Sequence, residues 1–174
     1  MRVYLPATTT VLRTLVDEGR LTAPLTAFAV TPQLRDFYTV SDAEADTEEL
    51  EYAALLTAAR ASLRMLDVDP TAARRRVVLA ADVPDAAVEM RDDPAEHPDA
   101  ERGTVRVTTD VALRSVASAH IDGADAEEDV RAAVNVVLEA DLGSDDAQFV
   151  VDQAEGHELA WYATQEIGPA LELL

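Results

Sequence analysis

The chain has no cysteine and no lysine, and only six glycines and 5% aromatic residues among its 174 positions. Without cysteine there is no disulfide, thiolate zinc site, iron–sulfur cluster or thiol nucleophile. Without lysine every basic side chain is an arginine, and 14 of them face 34 carboxylates for a formal charge of −20. Each phosphate contact would form against that field, so nucleic acid and anionic membranes are excluded as expected partners. No apolar run approaches the roughly 18 residues that cross a bilayer, and none follows Met1-Arg2-Val3-Tyr4-Leu5-Pro6, so a soluble cytoplasmic protein without membrane contact is expected. The few glycines form neither G-x-x-x-x-G-K nor G-x-G-x-x-G, which removes the common nucleotide-binding folds. H-E-x-x-H and G-x-S-x-G are missing too, and Asp122-Gly123-Ala124-Asp125 puts its glycine in the wrong place for an EF-hand. The sequence implies no cofactor and no metal.

Hydrophobic residues make up 48% of the chain, too many for general disorder. The length suits one domain able to bury about 70% of its unfolded surface. Arg2 to Pro6 alternates like a strand, and Thr8 or Thr9 can cap a helix over Val11, Leu12, Leu15 and Val16 that ends near Gly19. Leu25 to Val30 alternates again, and Thr31-Pro32 starts a short helix through Tyr38. Asp46 and Glu49 have capping-box spacing ahead of a long helix from Thr47 to Leu66, with Tyr52, Leu56, Ala59, Leu63 and Leu66 predicted on its buried stripe. Val77 to Ala81 reads as a buried central strand, with a short one over Ala86 to Met90. Residues 91–102 hold two prolines and five carboxylates without an apolar stripe, the composition of a mobile acidic loop whose replacement the fold should tolerate.

Further strands are expected over Thr104 to Thr108 and Val116 to Ile121. Asp125 and Glu128 begin a helix with Val130, Ala133, Val134, Val137 and Leu138 inside, and Ser144 caps another through Ala154. A late strand follows, with Leu159, Trp161 and Ala163 on its inward face and Glu158, Ala160 and Tyr162 on the other, before a terminal helix over Ile167 to Leu174. The expected fold is a single α+β domain over residues 1–174: a mixed β-sheet with helices packed on it, starting β-α-β.

Four blocks carry a resemblance: Met1 to Thr8, Leu25 to Arg35 (LTAFAVTPQLR), Glu49 to Ala61, and Trp161 to Ile167 (WYATQEI). In this order along the chain they resemble an uncharacterised family of actinobacterial hypothetical proteins. That resemblance implies a GC-rich bacterial source, in keeping with the abundant alanine, arginine, aspartate and valine. It implies no activity, ligand or catalytic residue.

The remaining candidates are single ionisable groups. Glu158, Tyr162, Gln165 and Glu166 belong to the densest grouping of aromatic and hydrogen-bonding side chains, which could line a cleft, with His120 as a proton acceptor oriented by Asp122. The plainer reading has Tyr162 packed beneath a helix, Glu166 capping the terminal one and His120 bonded across the sheet. Arg74, Arg75 and Arg76 could grip an anion through bidentate contacts, although 34 carboxylates compete for them. His97 reads as exposed loop. The carboxylates of Asp42, Glu44, Asp46, Glu48 and Glu49 could hold a hard divalent cation, but without a turn glycine or a defined ligand spacing they read as a solvated helix start. No catalytic constellation emerges, so the leading expectation is a non-catalytic module for protein interaction or self-association through the alanine-rich helix. The alternative is a small-molecule-binding protein or a cofactor-independent acid–base enzyme with its cleft near Glu158 to Glu166, and the sequence leaves open whether the protein is an enzyme.

Overall fold

The computed structural model describes residues 1–41 and 46–174. It opens as the alternation predicts, with β1 (Arg2–Ala7) followed by α1 (Thr9–Glu18). Thr8 caps α1 by accepting the Val11 amide, and Gly19 ends it at φ 72°, a left-handed conformation that suits a residue without Cβ. After β2 (Arg20–Leu21) and β3 (Leu25–Phe28), Thr31 accepts the Leu34 amide and starts α2 (Pro32–Ser41).

The long helix α3 (Thr47–Val68) begins at the expected capping box, in which Asp46 accepts the Glu49 amide while the Glu49 carboxylate accepts that of Asp46. Its buried side differs from the predicted stripe. Leu50, Ala54, Ala58 and Ser62 form one ridge and Leu55, Ala59, Leu63 and Leu66 the next, whereas Tyr52 and Leu56 are 55% and 39% exposed. The alanines decide the rotation, since small side chains bring the helix backbone close to the sheet. They are therefore used inside the molecule, and the alanine face expected to mediate self-association is covered. Ser62 fixes the approach: its hydroxyl donates to the Ala7 carbonyl (2.6 Å) and accepts the amide of Val77, first residue of β4 (Val77–Asp82).

Three short strands follow, β5 (Val88–Met90), β6 (Thr104–Val107) and β7 (Val111–Ala112), and then the longer β8 (Val116–Asp122). The helix expected through Leu138 is broken at Asn135 and Val136 into α4 (Glu127–Val134) and α5 (Val137–Asp141), leaving Leu138 exposed. Ser144 caps α6 (Asp145–Glu155), and the chain ends with β9 (Leu159–Ala163) and α7 (Ile167–Leu171).

Seven strands form one sheet in the order β5-β6-β3-β1-β4-β8-β9, and β2 pairs with β7 in a separate ribbon. The sheet is not mixed: every pairing among the described residues is antiparallel. Strand composition reports burial but not direction, and β4 reads as parallel-like only because both of its faces are covered. One face packs Val3, Leu5, Val77, Leu79, Ala119 and Ile121 against Leu12 and Leu15 of α1 and Ile167 and Leu171 of α7. The other packs Tyr4, Phe28, Val78 and Ala80 against α3. A third cluster joins Leu63 and Leu66 to α4, α5 and α6. Because α3 makes its main sheet contacts with β1, β4 and β3, the outer strands at both ends of that face lie beyond it.

The 91–102 segment is anchored in a way its composition does not announce. Asp92 is buried, and its Oδ2 accepts the Thr31 hydroxyl and the Gly103 amide, tying the segment to the cap of α2. Gly103 sits at φ 85°, where a Cβ would lie 2.9 Å from the Ala29 carbonyl oxygen. At the far end Glu101 pairs with Arg64 of α3 at 2.9 Å. The expectation that the segment can be replaced freely therefore gives way to its opposite. Asp92→Ala leaves a hydroxyl and an amide unsatisfied in the interior and should cost on the order of 2 kcal/mol or more. Urea denaturation checks this, with Asp93→Ala, an exposed neighbour, expected to stay near wild type.

Candidate functional site

The end of the sheet beyond α3 is set by one buried ion pair. Arg76 precedes β4 and Asp122 ends β8, and both side chains are completely buried. Arg76 Nε and Nη2 donate to the two carboxylate oxygens at 2.8 and 2.7 Å, and the Arg76 backbone amide donates to Oδ2 as well. Nη2 also donates to the His157 carbonyl at 2.9 Å, which holds the chain just ahead of β9. Such a pair is a fragile arrangement, since removing one partner strands a charge in the interior at a cost of about 3–5 kcal/mol. Arg76 Nη1 alone has no partner among the described residues.

Outside this clamp lies a groove between α3 and the chain that enters β9. Tyr52, Leu55, Leu56, His120, His157, Glu158 and Leu159 line a cavity of about 310 Å³. A second cavity of about 260 Å³ shares Leu56 and continues along α3 past Thr57 and Arg60 to Arg76 and Glu155. His120 lies across the strand pair from Trp161, so the two rings share a sheet face with Ser118, whose hydroxyl is 3.2 Å from His120 Nε2. Burial, with the positive charge of Arg2, holds the His120 imidazole below its usual 6.5. On the same face, burial followed by the charge of Glu51 pushes the Tyr4 phenol up to about 12. At neutral pH both groups are uncharged and can only donate or accept hydrogen bonds.

The residues singled out from sequence separate. His120 and Glu158 line the groove, and Asp122 lies behind it, held by Arg76 and not orienting His120. Tyr162 is on the opposite face, packed against the core beneath α1 and α7. Gln165 is exposed, and Glu166 accepts the Ala163 amide at 2.8 Å where the terminal helical turn begins. The arginine run is divided three ways. Arg74 donates to the carbonyl of Leu66 near the end of α3 and to that of Ala72 just beyond it, Arg75 pairs with Glu127 at 2.9 Å, and Arg76 is buried. They form no common anion grip. Of the acidic cluster, Asp46 and Glu49 serve the capping box, while Asp42 and Glu44 lie outside the described residues.

Trp161 overturns its expected place, being 61% exposed. Alternation correctly groups it with Leu159 and Ala163, but the packing that partly covers Leu159 at the start of β9 does not extend to Trp161. Two features escaped sequence reading: the ring of His157 bonds Asp129 of α4 at 2.7 Å, and Tyr52 and Leu56 stand open beside the groove. The histidine contact spans 28 residues, beyond any local signal.

These features define an acidic α+β protein with a seven-stranded antiparallel sheet, helices on both of its faces, and a groove at the sheet end. Among the described residues no helix is long and apolar enough to cross a membrane. The chain belongs to a family of unknown function (DUF6912), whose model matches residues 1–171. Neither the curated proteins nor the solved structures searched include a match.

Trp161 should emit at long wavelength and be quenched readily by acrylamide, and Trp161→Ala should change stability by no more than about 0.5 kcal/mol, as for other surface sites. Equilibrium denaturation followed by circular dichroism checks the second point. His120 provides a pH test. Its folded-state pKa lies below the unfolded value, so the native state binds fewer protons and stability rises with pH in between. The full contribution holds above 6.5 and falls away as the pH drops below it. His120→Gln should flatten the loss of stability between about pH 6.5 and 5, measured as denaturation midpoints across that range.

Proposed function

We propose that this protein is a non-catalytic interaction module of the bacterial cytoplasm, and that its docking surface is the open sheet end formed by β9 and the outer flank of α3. The supporting observation is the exposure of Trp161, Tyr52 and Leu56 together around the cavity that holds His120 and Leu159. Exposed aromatic groups flanking a recess are the usual anchors of a protein interface. The acid–base alternative loses ground because its candidate residues fall on different faces and Asp122 is already paired.

The occupant is an extended, basic segment of another protein. β9 is the last strand of the sheet and offers an unpaired edge for a further strand. Glu158 borders the cavity, and the whole chain carries −20. A second copy would bring the same charge to the interface, whereas alternating arginine and apolar side chains would complement both the carboxylates and the groove. An actinobacterial source agrees with the composition.

A fluorescently labelled peptide of alternating valine and arginine serves as the probe, read by anisotropy. Wild type should bind it and Trp161→Ala about tenfold more weakly or worse, the loss of a modest hot spot, while light scattering finds a monomer throughout. Equal binding by wild type and Trp161→Ala, or no binding by wild type, would remove this reading.

A further inference from the structure

The opposite end of the same sheet face carries a depression of different chemistry. Thr26 is two residues from Phe28, which packs under α3, so Thr26 shares that face, and Arg106 lies directly across from it in the register of β3 and β6. Beyond the reach of α3, this corner is roofed by the 91–102 segment. Arg91, His97, Arg106, Thr26 and Thr104 line a cavity of about 410 Å³, with Leu25 in its apolar wall. Among the described residues no carboxylate lines it, in a chain that has 34.

The charges here are only partly used. Arg106 makes no ion pair among the described residues. Glu89 lies across β5 and β6 from Arg106, but its carboxylate accepts from Arg91 Nη2 at 2.6 Å. Arg91, Arg106 and Glu89 together carry +1, while the carboxylates of the covering 91–102 segment stay outside the cavity lining. Arg91 Nη1 lies 3.4 Å from His97 Nε2. A guanidinium only donates, so within this contact Nε2 is the accepting atom. Guanidinium and hydroxyl donors beside an apolar wall are the complement of a negatively charged oxygen group on a short carbon body.

We propose that this depression binds a small oxyanion, a carboxylate or a phosphate, with Arg106 as its principal contact and Arg91 shared between the ligand and Glu89. This depression shares no lining residue with the groove beside β9, so either site can fail without the other. Glu89 limits affinity and gives the site selectivity, because a ligand must compete for Arg91 at an arginine already half satisfied. His97, set aside in the sequence as exposed loop, becomes part of the site through its contact with Arg91.

The test titrates the full chain with inorganic phosphate and, separately, with butyrate, at ionic strength held constant with sodium chloride, and follows backbone amides by nuclear magnetic resonance. At least one probe should produce saturable shifts concentrated at Thr26, His97, Thr104 and Arg106, and the probe that saturates identifies the head group. Arg106→Gln should weaken that binding about tenfold, the value of a charge-assisted hydrogen bond. Arg114→Gln, which removes another exposed arginine elsewhere, should leave it unchanged. Absence of saturable shifts with both probes, or equal weakening by the two substitutions, would overturn the proposal.

Discussion

The Arg76–Asp122 pair organises the β9 end of this molecule. It joins the start of β4, the end of β8 and, through the His157 carbonyl, the approach to β9. A strand at the edge of a sheet is held from one side only, so its position depends on what anchors its ends. Here the anchor is a charged network without solvent access, in which the carboxylate accepts three N–H groups. Electrostatic attraction in a low-dielectric setting repays the desolvation of two ions only when the geometry is good and most of their donors and acceptors are met. Here Nη1 alone is left over among the described residues. The same guanidinium forms the inner wall of the groove, so the structural clamp and the shape of the candidate site are one device.

The second constraint is the width of α3 relative to the sheet. A single helix about 10 Å across cannot cover seven strands spaced about 4.8 Å apart. Packed over the middle strands through Ala54, Ala58 and Ala59, it leaves both ends of one face open. One end presents aromatic and aliphatic side chains beside carboxylates, the other arginine and histidine beneath the 91–102 segment. Two surfaces of contrasting chemistry thus follow from one packing decision. Arginine does much of the surrounding fastening: Arg60 and Arg64 of α3 both reach Asp141 of α5, and that pairing, chiefly with Arg64, holds the Asp141 carboxyl below its ordinary range. In a chain without lysine, planar guanidinium forks are the available means of joining helices across an acidic surface.

Much of the local structure was legible because its causes are local. Thr8, Thr31, Asp46 and Ser144 cap helices where the spacing of hydroxyl, carboxylate and apolar residues places them. The run Val77 to Ala81 is a central strand because a strand buried on both faces must be apolar at consecutive positions. The errors have an equally physical pattern. Tyr52 and Leu56 obey helical periodicity, but α3 carries alanine around much of its circumference and periodicity alone does not choose between faces. The pairing of Asp92 with Thr31 crosses 61 residues, and no composition rule separates a buried carboxylate from the exposed ones beside it. Of the candidate site, Glu158 and His120 were legible as polar groups on late strands, whereas Tyr52, Leu56 and His157 were brought to them by tertiary packing.

By itself the sequence determined the element types and most of their ends, the single α+β domain, the strongly acidic surface and the absence of thiol and lysine chemistry. These depend on propensity, capping and composition, which act over a few residues or over the whole chain at once. Only the tertiary structure decided the strand order, the antiparallel direction of every pairing, the burial of Arg76 and the exposure of Trp161. Alternation states that Trp161 and Leu159 share a face, but whether that face meets protein or water depends on where a helix about a hundred residues earlier comes to rest. That position is set by close packing against the middle of the sheet, a property of the assembled layers and of no segment taken alone.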